Sequence, residues 1–410
     1  MKSKTFVLSV ALLALGILPV ASTAQGRDYT VYNLGTMGGS QSAAISINNS
    51  RWISGFSALA GNQITNAVLW RHGLPTNLGT LGGPNSGMGW PNHDHDAVVG
   101  ISETGVTDPL GETWSCAAFM PTTGHTCLGF FWENGVMHAL PTLGGNNGYA
   151  AGANHGDQVV GWAETTYHDP SCVAPQVLQF QAVLWEPKRG HQTVLPPLPG
   201  DPDSAATAIN NRGVAVGISG ICENAVGDQS ARHAVLWQNG QPTDIGNIGG
   251  SAWNTPTAIN DSGEVVGFAE VADGNIHAFL WTSHQGMHDL GTLAGDTTSY
   301  AWGVNEQGQI VGQSIGQNGS RAVLWENGHI VDVSGVADGS LTLLYGNDID
   351  NSDRFVGQAY DSSTGDSPAF VAVPNGCHAP DNLDSKADAF PLPQTVWRML
   401  RNSPGLAPIR

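Results

Sequence analysis

Residues 92–96, Asn-His-Asp-His-Asp, place two imidazoles and two carboxylates within five positions, and each of these groups can ligate a metal ion. Neighbouring residues of an extended chain point to opposite sides, so one ion could not use all four; no metal is expected there. A looser set consists of Glu112, Trp114, His125, Glu164, Tyr167, His168 and Asp169, with Trp90 and Trp302 at corresponding places in two repeats. Aromatic faces flanked by amides and carboxylates can grip sugars or peptides. The same groups can equally anchor a loop. Paired carboxylates at a suitable separation would cleave glycosides, but that separation belongs to the fold and cannot be read from a sequence. The chain carries no nucleophile elbow, phosphate-binding loop, zinc spacing or calcium loop. Catalytic residues are therefore unassigned, and no cofactor is expected.

The elements that would position such groups are set by the stretch 257–295, TAINDSGEVVGFAEVADGNIHAFLWTSHQGMHDLGTLAG. Its four short apolar runs, at 257–260, 265–269, 278–281 and 287–291, are separated by Asn, Asp, Ser and Gly, the residues of tight hairpins. Approximate copies recur along most of the chain. A four-stranded unit cannot bury both faces alone, so its copies must stack. The second run gives the register: Gly55, Gly100, Gly161, Gly217, Gly267, Gly312 and Gly357, seven copies in all. Seven residues before each stands Asn48, His93, Asn154, Asn210, Asn260, Asn305 or Asp350. That constant spacing predicts a fixed first hairpin, opened by a polar residue whose side chain bonds the local backbone. A ring of ligand groups is the sharper and less economical alternative. The Gly, lacking a side chain, would let a neighbouring backbone or a bulky residue come close.

The third strand ends on Trp70, Trp132, Trp185, Trp237, Trp281 and Trp325, with Ala372 in the seventh place. Six Trp in one register predict packing between adjacent sheets in preference to sugar stacking. The fourth strand reads NLGTMGG from Asn33, NLGTLGG from Asn77, then ALPTLGG, VLPPLPG, DIGNIGG, DLGTLAG and a weak VDVSGVADG. The first of these precedes the first complete unit, whereas the last unit, ending near Val373, lacks its own. A ring resolves the mismatch. Tyr29–Gly35 would pair beside residues 370–373 and fasten the two ends, removing the edges that an open stack leaves. The expected fold is all-β, a seven-bladed β-propeller closed by an N-terminal strand.

The residues HAFLW from His277 and DLGTLAG from Asp289, with NDSGEVVG between repeats, resemble the HAF repeats of bacterial proteins taken to be extracellular. The resemblance covers roughly residues 29–373. It implies secretion and a repeat architecture, and it carries no activity with it. The namesake His varies within the chain, standing as His233 and His277 but as Asn66, Gln181 and Arg321 elsewhere. This excludes a catalytic ring of His and favours a local surface or packing role.

In a propeller, the loops between second and third strands share one face with the links between blades, and the remaining hairpins occupy the other. The large insertions, 103–128 in blade two, 164–180 in blade three and 220–232 in blade four, all fall on the first of these faces and build a cap over one sector. Long loops on a rigid ring are where binding residues usually sit. Residues 92–96 fall on the plain face, in the first hairpin of blade two. Four of the five cysteines lie in the insertions, and in an exported protein disulfides are their expected state. Nearness favours Cys116–Cys127 and Cys172–Cys222, one of the three pairings that four cysteines allow. Cys377 falls toward the plain face, either as a thiol sheltered by the C-terminal tail or as an intermolecular link.

Residues 1–24 carry Lys2 and Lys4, an apolar run and small residues up to Ala24, the layout of a secretory signal. Residues 25–377 would form the propeller and 378–410 a Pro-broken tail in which only 395–402 could make two helical turns. A soluble secreted protein, extracellular or periplasmic, is expected. Removing the signal takes two Lys and no acid, leaving 13 basic against 34 acidic side chains and a net charge of −21. That disfavours nucleic acid and anionic membranes as partners. The functional expectation is a monomeric, non-enzymatic binding propeller recognising an extracellular glycan or protein through the insertion-bearing face of blades two to four. The alternative is a carbohydrate-active hydrolase or lyase using carboxylate and His groups of that face. Convergence of two or more of Glu112, His125, His168, Asp169 and Glu223 on a pocket would favour the enzyme; no pocket at all would favour a structural envelope protein.

Overall fold

Each repeat folds as a four-stranded antiparallel sheet, and seven such sheets form a β-propeller in the computed structural model, which describes residues 29–375 apart from 72, 89–96, 113, 224–227, 318 and 338. The expected signal, Trp90, residues 92–96, Cys377 and the tail lie outside the described residues. Blade one comprises Gly38–Ile47, Ile53–Leu59, Thr65–Arg71 and Leu74–Asn77 in that order across the sheet. From blade three round to blade one, first strands of neighbouring blades contact one another around the central channel. Among the described residues, no helix is long and apolar enough to cross a membrane.

The ring closes as the displaced strand requires. Blade seven is built from Leu341–Ile349, Phe355–Asp361 and Ala369–Pro374, and its fourth strand is Tyr29–Gly35. The pairing runs antiparallel from Tyr29 opposite Pro374 to Gly35 opposite Ala369. Tyr29 itself packs edge-on against Phe355, with ring centroids 5.1 Å apart.

The repeated residues each make a specific contact. Opposite the Gly of the second strand, the first strand carries a β-bulge, as at Pro256/Ala258 and Ala301/Gly303. The bulge pushes a carbonyl toward the Gly, so a β carbon on Gly267 would drive into the carbonyl of Thr255, and one on Gly312 into that of Tyr300. The neighbouring backbone is thus what the Gly admits. The third-strand Trp lie between blades, and four of them anchor the preceding sheet through the indole N–H. Trp70 Nε1 donates to the Leu34 carbonyl at 3.0 Å, Trp185 to Pro141 at 3.0 Å, Trp237 to Pro196 at 2.7 Å and Trp325 to Leu290 at 3.1 Å. Each acceptor belongs to a fourth-strand motif of the preceding sheet, which explains why Trp and that motif recur together.

The variable His pairs with the same motif from the other side. His277 Nδ1 lies 2.8 Å from Asp289 Oδ2 and His233 Nδ1 3.0 Å from Asp244 Oδ2. Where the repeat has Arg321, its Nη1 donates to Asp332 Oδ2 at 3.0 Å; where it has Asn66, Asn77 Nδ2 donates to its Oδ1 at 2.9 Å. A cross-strand polar pair is conserved in geometry while its chemistry changes. Apolar residues fill the remaining space between blades, for example Val160, Ile209, Val235 and Trp237 between blades three and four.

Gly267→Ala is expected to lower stability by about 1–3 kcal/mol through this overpacking. Gly105→Ala is the control, because its β carbon would meet nothing nearer than 3.8 Å. Equal losses for the two variants in denaturant titrations would contradict the bulge-and-glycine account.

Candidate functional site

The insertions of blades two, three and four sit side by side on one face and share a core of their own. Cys116, Met120, Cys127, Cys222 and Ala231 pack with Tyr149, Trp162 and Phe180 of the strands, and Phe119 stacks on Tyr149 at 4.3 Å. Two disulfides close within it, Cys116–Cys127 inside the blade-two insertion and Cys172–Cys222 between blades three and four. Each contributes about 2–4 kcal/mol, mainly by restricting the unfolded chain. Beside the second disulfide, Val173 N donates to the Glu223 carbonyl at 2.9 Å and Glu223 N to that of Ser171 at 3.0 Å. Asp108 fixes the blade-two insertion: its Oδ1 accepts from the N–H groups of Leu110 and Gly111 at 2.8 Å each, and its Oδ2 accepts from Asn147 Nδ2 at 2.9 Å.

Buried carboxyl groups join the insertions across blade boundaries. Glu112 Oε1 accepts from the N–H groups of Val177 at 2.9 Å and Leu178 at 2.7 Å, so a blade-two side chain holds the blade-three loop. Glu164 accepts from Asn147 N at 2.8 Å and Gln176 Nε2 at 3.1 Å. Burial, followed by the charge of Glu112, pushes Glu164 up to about 7. Glu112 is itself raised, again chiefly by burial. In blade four, Asp203 Oδ1 accepts from Phe180 N at 2.9 Å. Burial pushes Asp203 up to about 8, and the neighbouring carboxyl of Asp169 adds to the rise. Asp169 Oδ2 and Asp203 Oδ2 are buried without a hydrogen-bond partner, a deficit that one proton on the pair removes.

The remaining candidates are dispersed. Tyr167 is 55% exposed and His168 lies beside it on the outer surface. His125 Nδ1 is 2.6 Å from Thr123 Oγ1, and Trp114 opens the four-residue helix Trp114–Ala117. Glu223 Oε2 accepts from Gln229 N at 3.2 Å. Trp302 lies beyond the cap in an aromatic cluster of blades five and six, stacked on Tyr300 at 5.6 Å and edge-on to Phe268. That cluster borders the cap through Trp253, whose N–H donates to the Asp228 carbonyl of the blade-four insertion at 3.2 Å. Glu112 is thus consumed as a loop anchor and Asp169 Oδ1 accepts from Ser171 N at 2.7 Å within its own loop, while Tyr167 and His168 face solvent. Among the described residues, no group of three or more His, Cys, Asp or Glu is placed to hold a metal ion.

A cavity of about 220 Å3 lies elsewhere, at the channel mouth on the plain face. None of Glu112, His125, His168, Asp169 and Glu223 lines it. The first-hairpin Asn residues form its wall. Asn210 Oδ1 accepts from the N–H groups of Arg212 and Val214 in its own turn, at 3.1 and 3.0 Å, while its Nδ2 donates to the Asn260 carbonyl of the next blade at 3.0 Å. Asn260 Nδ2 reaches the Asn305 carbonyl in the same way at 3.0 Å, and Asn305 Nδ2 that of Asp350 at 3.1 Å. The residue after each Asn makes a second relay at the rim: Asp261 N donates to Glu306 Oε1 at 2.8 Å, Glu306 N to Asn351 Oδ1 at 3.0 Å and Asn351 N to Asn49 Oδ1 at 3.1 Å. Turn chemistry accounts for half of each Asn, and the other half bridges blades. The rim positions were legible only as a polar residue following the turn Asn in each repeat.

No family model matches the chain, and no curated protein matches it. Among solved structures it is similar to the acylaminoacyl peptidase of Pyrococcus horikoshii, at 11% identity and a TM-score of 0.46, over 83% of this chain and 52% of that one. It is also similar to TolB of Acinetobacter baumannii, at 9% and 0.40 over 68% and 63% of the two chains. An oligogalacturonate lyase of Vibrio parahaemolyticus matches at 8% and 0.43, over 84% and 93%. The chain therefore spans about half the length of the peptidase and 63% of that of TolB. These are distant likenesses, and nothing about the chemistry of this chain rests on them.

The carboxyl pairs fix the sign of a pH effect. Glu164 and Asp203 bind protons in the folded protein up to about 7 and about 8, whereas the unfolded chain releases them near its ordinary 4.5 and 3.8. The folded state holds more protons in that window, so this contribution to stability is complete below about pH 4 and is lost as the pH rises through the folded values. Asp203→Asn keeps the acceptor for Phe180 N and gains a donor toward Asp169. Its melting temperature should rise above that of the parent by an increment that grows between pH 4 and pH 8. Parallel melting curves across a calorimetric pH series would refute the carboxyl-pair account.

Proposed function

We propose that this is an exported binding propeller of the HAF-repeat kind, and that its capped face over blades two to four recognises an extracellular protein or glycan. The observation that carries the reading is a contrast within the cap. Its interior is fixed by two disulfides, an apolar core and buried carboxyl joints, yet its surface leaves Val106 62%, Leu110 40%, Tyr167 55% and Val173 51% exposed. Half of the exposed large apolar side chains among the described residues thus belong to two adjacent insertions. Rigid loops lose little conformational freedom on binding, and exposed apolar groups on them supply the desolvation that drives association. Valine and leucine beside a tyrosine suit a protein surface better than a sugar, which favours flat aromatic platforms. Secretion is part of the same proposal, supported by the disulfides and by the layout of residues 1–24.

A hydrolase or lyase reading draws on one observation, the raised carboxyls of Glu164 and Asp203, since acid–base chemistry uses groups shifted in this way. Both are buried, and both already accept hydrogen bonds from loop or strand. Their arrangement suits holding the cap together better than meeting a substrate.

The test is binding of the mature protein to extracellular protein and glycan arrays, beside Tyr167→Glu and Leu110→Glu variants. Each variant should weaken capture of the partner by tenfold or more while leaving the melting temperature within a degree or two. Undiminished capture by both variants would remove the capped face as the binding surface. Turnover of a polysaccharide, abolished by Glu164→Gln in a folded protein, would establish the enzyme instead.

A further inference from the structure

The channel mouth on the plain face is a cup with three tiers. Ile209, Ile259, Val304 and Ile349, each the last residue of a first strand, form its apolar floor. Above them the turn amides are spent on their own turns and on the blade-to-blade bonds. The rim retains bonding capacity: Asn49 and Asn351 each use Oδ1 to accept a backbone N–H, and Glu306 uses Oε1 likewise. Among the described residues, no partner takes the Nδ2 groups of Asn49 and Asn351 or the Oε2 of Glu306. Among the described residues the cup thus offers two amide donors and one carboxylate acceptor, with the His155 imidazole at the same wall, over an aliphatic base. At about 220 Å3 it holds roughly seven water volumes of about 30 Å3 each.

That combination discriminates among ligand classes. An anion would meet the carboxylates of Asp261 and Glu306 at the wall and is disfavoured. A bare metal ion lacks a ligand set among the described residues, because no three suitable side chains converge there and each described rim carboxylate already accepts a backbone N–H through one oxygen. An organic cation would satisfy Glu306 but leave the amide donors facing it. A hydroxyl group donates and accepts at once, so adjacent hydroxyls match the alternating amides and carboxylate, and the C–H face of a sugar ring suits the isoleucine floor.

We propose that the plain-face channel mouth is a binding site for one neutral, pyranose-sized polyol, held by Asn49, Asn351 and Glu306 over the Ile259–Val304 floor. The site is independent of the capped face, and the two can fail separately. The rim atoms that bind are those left over from the relay, so the ring that fixes the blades also presents the ligand groups without further ordering.

The experiment is saturation-transfer NMR on the mature protein with the methyl pyranosides of glucose, galactose, mannose and N-acetylglucosamine, and with choline and calcium as competitors. At least one pyranoside should receive saturation. Glu306→Gln, which keeps the acceptor for Asp261 N and replaces the second oxygen with a donor, should weaken that ligand tenfold or more. Ile259→Trp, filling the cup, should abolish the signal; Asn351→Ala serves as the second rim variant should the tryptophan not fold. Tyr167→Glu on the opposite face should leave the signal unchanged. Absence of transfer to all four pyranosides, transfer indifferent to Glu306→Gln and Asn351→Ala, or displacement by choline or calcium at lower concentration than any pyranoside would each overturn the proposal.

Discussion

Every described joint from blade three to blade seven carries the same hydrogen bond, from the turn amide of one blade to the turn carbonyl of the next. The partners are 56, 50, 45 and 45 residues apart in sequence, yet the bonds measure 2.9, 3.0, 3.0 and 3.1 Å. Differences in blade length therefore vanish at the channel and reappear only on the far face, where the insertions are free to grow. A single asparagine enforces this because it has both an acceptor for its own turn and a donor for its neighbour. Aspartate has no such donor. At Asp350 the carboxylate instead pairs with the buried Arg354 guanidinium, and blade seven reaches blade one by other groups. Asp348 Oδ2 accepts from Ser46 Oγ at 3.0 Å and Ile47 N at 2.9 Å, and Asn347 Nδ2 donates to the Ala44 carbonyl at 2.8 Å.

This division explains why the two faces differ in kind. The plain face is bound by the relay and repeats almost unchanged from blade to blade, so its chemistry is that of a ring of similar side chains. The capped face has no relay to satisfy. Its loops need separate fastening, and they receive it from cystine, from an apolar core and from buried carboxyl groups that bond the loops across blade boundaries. A face fastened in this way can vary in sequence while the ring beneath it stays fixed.

What the sequence revealed follows the same line. The period of Asn, Gly and Trp, the displaced Tyr29–Gly35 strand and the disulfide pairing were all readable, because each is set by spacing along the chain or by adjacency of loops. The contacts of the Gly with a bulged carbonyl and of Trp with a preceding motif needed only the third dimension to become specific. Asp203 had no such signal. It stands in an ordinary strand, DSAATAI, and its significance comes from Asp169, which reaches it across a blade boundary. The channel cup was only half legible: Asn49, Glu306 and Asn351 share one place in the first hairpin, which sets them on one ring, but nothing in the sequence says that a cavity opens between them. The role of Glu112 was misleading for the opposite reason: a carboxylate in a long loop invites a catalytic reading, and its bonds to Val177 and Leu178 spend it on architecture.

The closing strand has a consequence in time as well as in space. Thr30 donates to Asn375 across 345 residues, so the closing strand is made long before the partner it pairs with. Until then blade seven lacks its outer strand, and a nearly complete ring exposes an unpaired edge. Loop closure over such a distance makes this pairing the slowest to search for by diffusion, unless the growing ring itself carries the two ends together. The propeller is thus a clasp whose two halves are made 345 residues apart. The earlier blades hold the circle nearly shut before the clasp can engage.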